Sequence, residues 1–307
     1  MVNPDIFLIG AAKAGTTAIA NWMSENPNIA LSKIKEPNYF STDIDVNNFS
    51  SEFNAISPRL PKSYWLKDRL EFVHQDFVQD RNHYARLFEH ARPGQKLAEC
   101  STSYFWSRNA AEEVKRVCPN GKISIILRNP VDRAWSHYRM ARKYGLVSGS
   151  FLEELEKDFS TESLWGKSHN FYHLSLYSES LKRWMQHFDA DLLRVDIYEV
   201  FFNSPQKSWN DVCEFWGVER SPIFGEIKNH ESQDPKSPVL NRLILRLELK
   251  RLKILLPKRV QGFLKKVLFK DESEQLSSDN RKKAMKYFID DIQELESLVG
   301  RSLSLWT

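Results

Sequence analysis

Near the start of the chain, Gly10-Ala11-Ala12-Lys13-Ala14-Gly15-Thr16-Thr17 brings together the residue types needed to hold an anion. The glycines have the Gly-x-x-x-x-Gly spacing of a nucleoside-triphosphate loop, which continues with Lys and Ser/Thr. Here Thr16-Thr17 follow Gly15, and the lysine stands inside the loop, at Lys13. Two glycines let the backbone curl tightly around an oxyanion. Lys13 adds a compact positive charge, the amides of Ala14 and Gly15 belong to the same curl, and Thr16 and Thr17 add hydroxyl donors. The usual magnesium-ligand arrangement is not in place. A second cluster, Arg128-Asn129-Pro130-Val131-Asp132-Arg133-Ala134-Trp135-Ser136, offers a guanidinium fork suited to a phosphate and a serine hydroxyl. Two anion sites in one chain suggest a nucleotide with phosphates at both ends.

Both clusters need elements to place them. Residues 4–9 are a short apolar run ended by glycine and read as a buried strand; Thr16 to Ser24 reads as a helix. Thr16 and Thr17 then sit at a helix N-terminus, where unpaired amides and the helix dipole meet an anion. Ile29-Ala30-Leu31, Lys96 to Glu99, Ile123 to Leu127 and Leu192 to Tyr198 read as further strands. Helices are expected at Asn82 to Glu89, Ala110 to Val117, Val131 to Lys143 and Leu174 to His187, with one amphipathic helix from Ser278 to Val299 stopped by Gly300. Residues 43–75 read as a long polar excursion over the surface. Strands alternating with helices imply an α/β fold: a three-layer sandwich of the P-loop-like kind, its central parallel sheet flanked by helices, with a helical C-terminal part. Ligands bind at the carboxyl ends of such strands, so both clusters should lie on one sheet edge.

Composition agrees with a globular protein of 307 residues, 41% hydrophobic and 27% charged, read as one domain over 1–307. No apolar stretch approaches the roughly 18 residues of a membrane span, and a strand-like run starts too early to leave room for a signal peptide. Cys100, Cys118 and Cys213 are scattered and odd in number, which fits neither a metal site nor a disulfide framework and suits a reducing cytoplasm. A net charge of +4 suits an anionic ligand without implying nucleic acid. Residues 239–270 hold ten Lys/Arg against Glu248 alone; they read as helices with solvated lysines rather than as a polymer- or membrane-binding surface.

The chain resembles the sulfotransferases that use 3′-phosphoadenosine 5′-phosphosulfate (PAPS) and release PAP. The loop at 10–17 is similar to the family's 5′-phosphosulfate loop, and Arg128 through Ser136 to its 3′-phosphate motif. Lys35-Glu36-Pro37-Asn38-Tyr39-Phe40, Glu99-Cys100-Ser101-Thr102-Ser103-Tyr104 and the terminal Leu295 to Trp306 agree in the right order. The branch is the one that includes heparan sulfate sulfotransferases and many bacterial enzymes. The resemblance implies sulfuryl transfer to a hydroxyl, with an amine as second choice, of a carbohydrate or small specialised metabolite. It makes Glu36 the general base, and it implies donor contacts from Lys13, Ala14, Gly15, Thr16, Thr17, Arg128, Ser136 and a loop lysine, Lys236.

Three chemical tasks follow: stabilise the leaving phosphate, take the acceptor's proton, and align the two ends. Lys13 suits the first without a metal. Glu36 suits the second, because a poor acid need lose its proton only as the new bond forms; the competing reading is a surface glutamate paired with Lys33 or Lys35. His74 and His83 are alternative bases. Glu99 reads as a brace of the sheet edge, ahead of the alternative that it orients a lysine or a substrate hydroxyl. Cys100 replaces a lysine that the heparan sulfate enzymes carry, so any role of that lysine is missing or moved. Tyr177 and Trp184 read as core. The rival functions are a P-loop kinase-like enzyme, which the missing Lys-Ser/Thr disfavours, and a non-catalytic nucleotide- or glycan-binding module.

Overall fold

In the computed structural model, residues 3–223 and 274–307 are described; Lys236 and the basic stretch 239–270 lie outside them. Elements are numbered over the described residues, which fall into two compact units: 3–129, 176–223 and 290–307 in the first, 130–175 and 274–289 in the second.

The first unit is built on five parallel strands in the order β2-β5-β1-β6-β7: β1 (Ile6–Gly10), β2 (Ile29–Leu31), β5 (Lys96–Cys100), β6 (Lys122–Leu127) and β7 (Leu193–Ile197). All five residues of β1 are buried, as a central strand covered on both faces requires. The pleat sends successive side chains to opposite faces. On one face Cys100 Sγ lies 3.6 Å from Met23 Sδ of α1 (Thr16–Glu25), and Ser124 accepts a 2.8 Å bond from the indole of Trp216 in α11 (Pro205–Trp216). On the other, Phe7 packs edge-on to Phe40, while α5 (Ser103–Trp106), α6 (Ala110–Val117) and α9 (Ser178–His187) pack together. This is the expected α/β sandwich with a central parallel sheet. Tyr177 and Trp184 are fully buried, as read from the sequence.

The excursion at 43–75 holds more structure than its polarity suggests: α2 (Ser51–Ile56), α3 (Lys62–Trp65) and β4 (Val73–Gln75). It is followed by α4 (Arg81–Arg86). β4 pairs in parallel with β3 (Ile34–Glu36), Glu36 opposite Gln75. Glu36 therefore ends a strand of its own, where the sequence placed it merely after Ile29-Ala30-Leu31. Three residues are too few for a visible alternation, and the partner strand lies far along the chain. A short helix, α10 (Tyr198–Phe201), follows β7.

The second unit contains α7 (Pro130–Lys143), α8 (Phe151–Phe159) and α12 (Ser278–Met285). Arg133 of α7 is fully buried and donates to Ser175 Oγ at 2.6 Å and to the Phe171 carbonyl at 2.7 Å, so its charge is spent on structure.

Two helices differ from their expected bounds. The segment 278–299 is two helices, α12 and α13 (Ile289–Val299), because Phe288 between them is fully buried, stacked on Tyr172. α9 begins at Ser178 rather than Leu174, since Asp291 accepts from the amides of Tyr177 and Ser178 and caps it from far along the chain. Among the described residues no helix is long and apolar enough to cross a membrane.

Candidate active site

The loop after β1 folds as its glycines require. Lys13 (φ 69°) and Gly15 (φ 85°) are both left-handed and bracket the buried Ala14. For a non-glycine residue that conformation costs roughly 1–2 kcal/mol, and such cost is typical of ligand sites. At Gly15 a Cβ would come within 2.5 Å of Phe202 Cε2, so both backbone and packing exclude a side chain. α1 starts at Thr16; among the described residues nothing accepts from the amides of Gly15, Thr16 and Thr17, the pattern of an anion-ready helix start.

Arg128, just past β6, reaches this loop: its Nη1 donates to the Lys13 carbonyl at 3.1 Å, and its guanidinium lies 4.7 Å from the Tyr198 ring centroid. Tyr177 Oη holds the Arg128 carbonyl at 2.9 Å. A planar cation is thus fixed beside the loop, as the sheet-edge argument expected. Ser136 lies half-buried on α7 in the second unit.

Glu36 is buried. Lys35 Nζ donates to its Oε1 at 2.6 Å, and Thr102 Oγ1 donates to its Oε2 at 2.8 Å. Burial pushes the carboxyl up, but Lys35, His74 and Thr102 together outweigh it and hold it below the usual range. Lys35 is itself only 2% exposed. The pairing with Lys35 foreseen as a competing reading is present, but as a buried pair rather than a surface one. Sequence reasoning treated Lys35 as an incidental partner; its signal was the Lys35-Glu36-Pro37 string itself. Thr102 was quoted there without a role.

His74, on β4, sits in the same field. Desolvation, with the charges of Lys35 and Lys13, lowers its pKa against the opposing pull of Glu36. The loop lysine, the buried ion pair and His74 therefore share one neighbourhood. His83 is elsewhere, its ring stacked on Trp65 at 4.2 Å.

Glu99 is fully buried and accepts from Tyr84 Oη at 2.6 Å. Among the described residues no cation pairs with it, and burial pushes its pKa up to about 7 despite the Tyr104 and Tyr84 hydroxyls. It ties α4 to β5 through the Tyr84 hydroxyl, a contact that a bracing role needs. A cavity of about 850 Å³, walled by Tyr39, Ile44, Phe77 and Tyr84, lies in this unit; none of the predicted donor residues lines it.

Against known proteins, the sequence model described as the sulfotransferase family matches residues 4–222. The chain belongs to the sulfotransferase family. Among relatives, it is 25% identical over 228 residues to a Caenorhabditis briggsae bifunctional heparan sulfate N-deacetylase/N-sulfotransferase 1, covering 69% of this chain and 23% of that one. It is 22% identical over 217 residues to a Homo sapiens heparan sulfate glucosamine 3-O-sulfotransferase 3B1, covering 71% and 47%. The chain thus spans less than half the length of these relatives. A sulfotransferase structure from Alicyclobacillus acidocaldarius superposes with a TM-score of 0.70 at 24% identity, covering 100% of this chain and 99% of that one, and shows the same fold.

Proposed function

We propose that this sulfotransferase moves the sulfuryl group of PAPS to a hydroxyl, or secondarily an amine, of a carbohydrate or small specialised metabolite. The observation that carries the reading is a buried, ionised carboxylate, Glu36, in the same neighbourhood as a left-handed lysine loop bound by Arg128. PAPS has an anion at each end, and the two basic clusters answer to them. The loop amides with Lys13, Ala14, Gly15, Thr16 and Thr17 would hold the 5′-phosphosulfate, and Arg128 the 3′-phosphate. To the same proposal belong Ser136, as a hydroxyl donor to the 3′-phosphate, and Lys236. The proposal treats 1–307 as one sulfotransferase domain.

In the reaction, the acceptor oxygen attacks sulfur as its proton passes to Glu36. The bond from sulfur to the bridging oxygen breaks, and its electron pair stays on the phosphate of PAP. Lys13 and the loop amides stabilise that developing charge. An ionised Glu36 is ready at neutral pH, and the proton moves as the O–S bond forms, so a weak base suffices.

The test pairs calorimetry with PAP and transfer of ³⁵S from labelled PAPS across an acceptor panel. Glu36→Ala is expected to abolish transfer while PAP still binds; Lys13→Ala is expected to weaken use of the donor as well. ATP turnover that requires magnesium, or a Glu36→Ala protein with full function, would sink the proposal.

A further inference from the structure

We propose that Lys35 is a positioning residue for the proton-accepting carboxylate: its ammonium on Glu36 Oε1, opposite Thr102 on Oε2, fixes the charge and aim of that group. The inference rests on the sulfotransferase reading above.

A carboxylate offers about four lone-pair positions. Thr102 addresses Oε2 twice, through Oγ1 at 2.8 Å and its amide at 3.4 Å. Lys35 addresses Oε1 once, at 2.6 Å. Oε1 therefore keeps capacity for an incoming hydroxyl proton, and Lys35 stands beside the oxygen that would take it. Side-chain exposure in the pair is 2% for Lys35 and 10% for Glu36. Burying two ions costs several kcal/mol each before their attraction is counted, and apolar replacements often serve stability as well or better. A buried lysine here is thus better explained by what it does to Glu36 than by what it adds to the fold.

The charged and titratable surroundings support this assignment from every side. β4 presents His74, and Lys13 acts on His74 from the loop after β1. β5 presents Cys100. Both Lys35 and Glu36 act on the Cys100 thiol, which is fully buried and pushed up to about 12, hence uncharged. The position where the resembling heparan sulfate enzymes carry a lysine is therefore neutral here. Among the described residues, Lys35 is the cation in contact with Glu36.

Without that charge, burial would dominate and the Glu36 carboxyl would rise; His74, relieved of a positive neighbour, would rise with it. The experiment uses the full chain labelled with ¹³C at glutamate carboxyls, with Glu36→Gln assigning the Glu36 signal. PAP calorimetry and ³⁵S transfer are run beside it for Lys35→Met and Lys35→Arg. Lys35→Met is expected to bind PAP as the parent does. Its Glu36 midpoint should rise by about 1–3 pH units, as loss of an adjacent opposite charge implies. The acid limb of its kcat profile should rise with it, and kcat at pH 7 should fall about tenfold with an unchanged KM for PAPS. Lys35→Arg should return both midpoint and limb towards the parent. A Lys35→Met midpoint equal to the parent's, or equal losses in both variants at every pH, would overturn the assignment. If Lys35→Met does not fold, the parent titration decides: a Glu36 midpoint below the usual carboxylate range supports the role, and one at or above it overturns the role. A parent protein that neither binds PAP nor transfers label defeats the sulfotransferase reading itself, whereas PAP binding with an unmoved midpoint defeats only Lys35.

Discussion

Glu36 and Glu99 are two carboxyls at nearly equal depth with opposite fates. Glu36 is 8% exposed and Glu99 not at all. Burial pushes both up, yet Glu36 ends below the usual range and Glu99 near 7. The difference is the company each keeps. Glu36 has Lys35 at 2.6 Å and a threonine hydroxyl; Glu99 has tyrosine hydroxyls, and among the described residues its Oε1 has no hydrogen-bond partner. Burial alone makes a carboxyl hold its proton; a cation makes it ready to accept one. This contrast supports the proposal that gives the chemistry to Glu36 and the bracing to Glu99.

The comparison breaks most visibly in turnover. Glu36→Gln keeps shape and bonding capacity but removes the base, so transfer from labelled PAPS should drop about 10²–10⁴-fold, with PAP affinity unchanged by calorimetry. Glu99→Gln should transfer within a fewfold of the parent. If the two variants lose activity equally, the division of roles is wrong.

Stability against pH separates them next. The folded state binds the Glu99 proton more tightly than the unfolded chain does. Its contribution is therefore complete below about 4.5 and is lost as pH rises through about 7. The span corresponds to about 3 kcal/mol. Denaturant titrations from pH 5 to 8 should show Glu99→Gln with a flatter profile than the parent and greater stability at pH 8. Glu36 has the reverse sign: its contribution is present above the usual carboxylate value and is lost on acidification. Glu36→Gln should therefore flatten the acid side instead. A parent profile flat up to pH 8 would remove the claim for Glu99.

How far the sequence foretold these two sites depended on the range of the interactions that make them. The loop at 10–17 was readable because glycine, lysine and threonine act through their own backbone, and Lys13 and Gly15 adopt the left-handed turns that such a loop needs. All five strands of the main sheet, and the α/β class, were legible from short strand-like runs; Ile29–Leu31 followed from as few as three residues. Strand β3 did not, because its pairing with β4 crosses the whole 43–75 excursion. The start of α9 was misplaced because its cap, Asp291, comes from far along the chain. Lys35 looked like a surface lysine, since nothing local reveals that Ile34–Glu36 is buried on all three residues. Long-range pairing, burial and capping are what a single sequence conceals.

The Thr102 clamp gives a smaller effect. Thr102→Val is nearly isosteric and removes the hydroxyl that donates to Glu36 Oε2. A hydrogen bond to a charged group contributes about 1.5–3 kcal/mol. Part of that should appear as a fall in kcat of about tenfold with PAP affinity intact. An unchanged kcat would mean that Lys35 alone aims the carboxylate.

The smallest expected change lies on the Glu99 side, at Tyr84. Its hydroxyl donates to Glu99 Oε2 at 2.6 Å, while its ring stacks on Tyr39 at 4.1 Å. Tyr84→Phe keeps the ring and its stacking but deletes the donor, so the loss isolates one hydrogen bond of a buried carboxyl. The bond matters most when Glu99 is charged. At pH 8 the variant should lose about 1–2 kcal/mol of stability, and at pH 5, where Glu99 carries its proton, less. Transfer should be unaffected at either pH, because Tyr84 bonds to the brace and not to Glu36. A loss of stability that does not depend on pH would show that Tyr84 is held for packing alone; a loss of turnover would show that the two carboxyls are coupled, and that the contrast between them is one of degree.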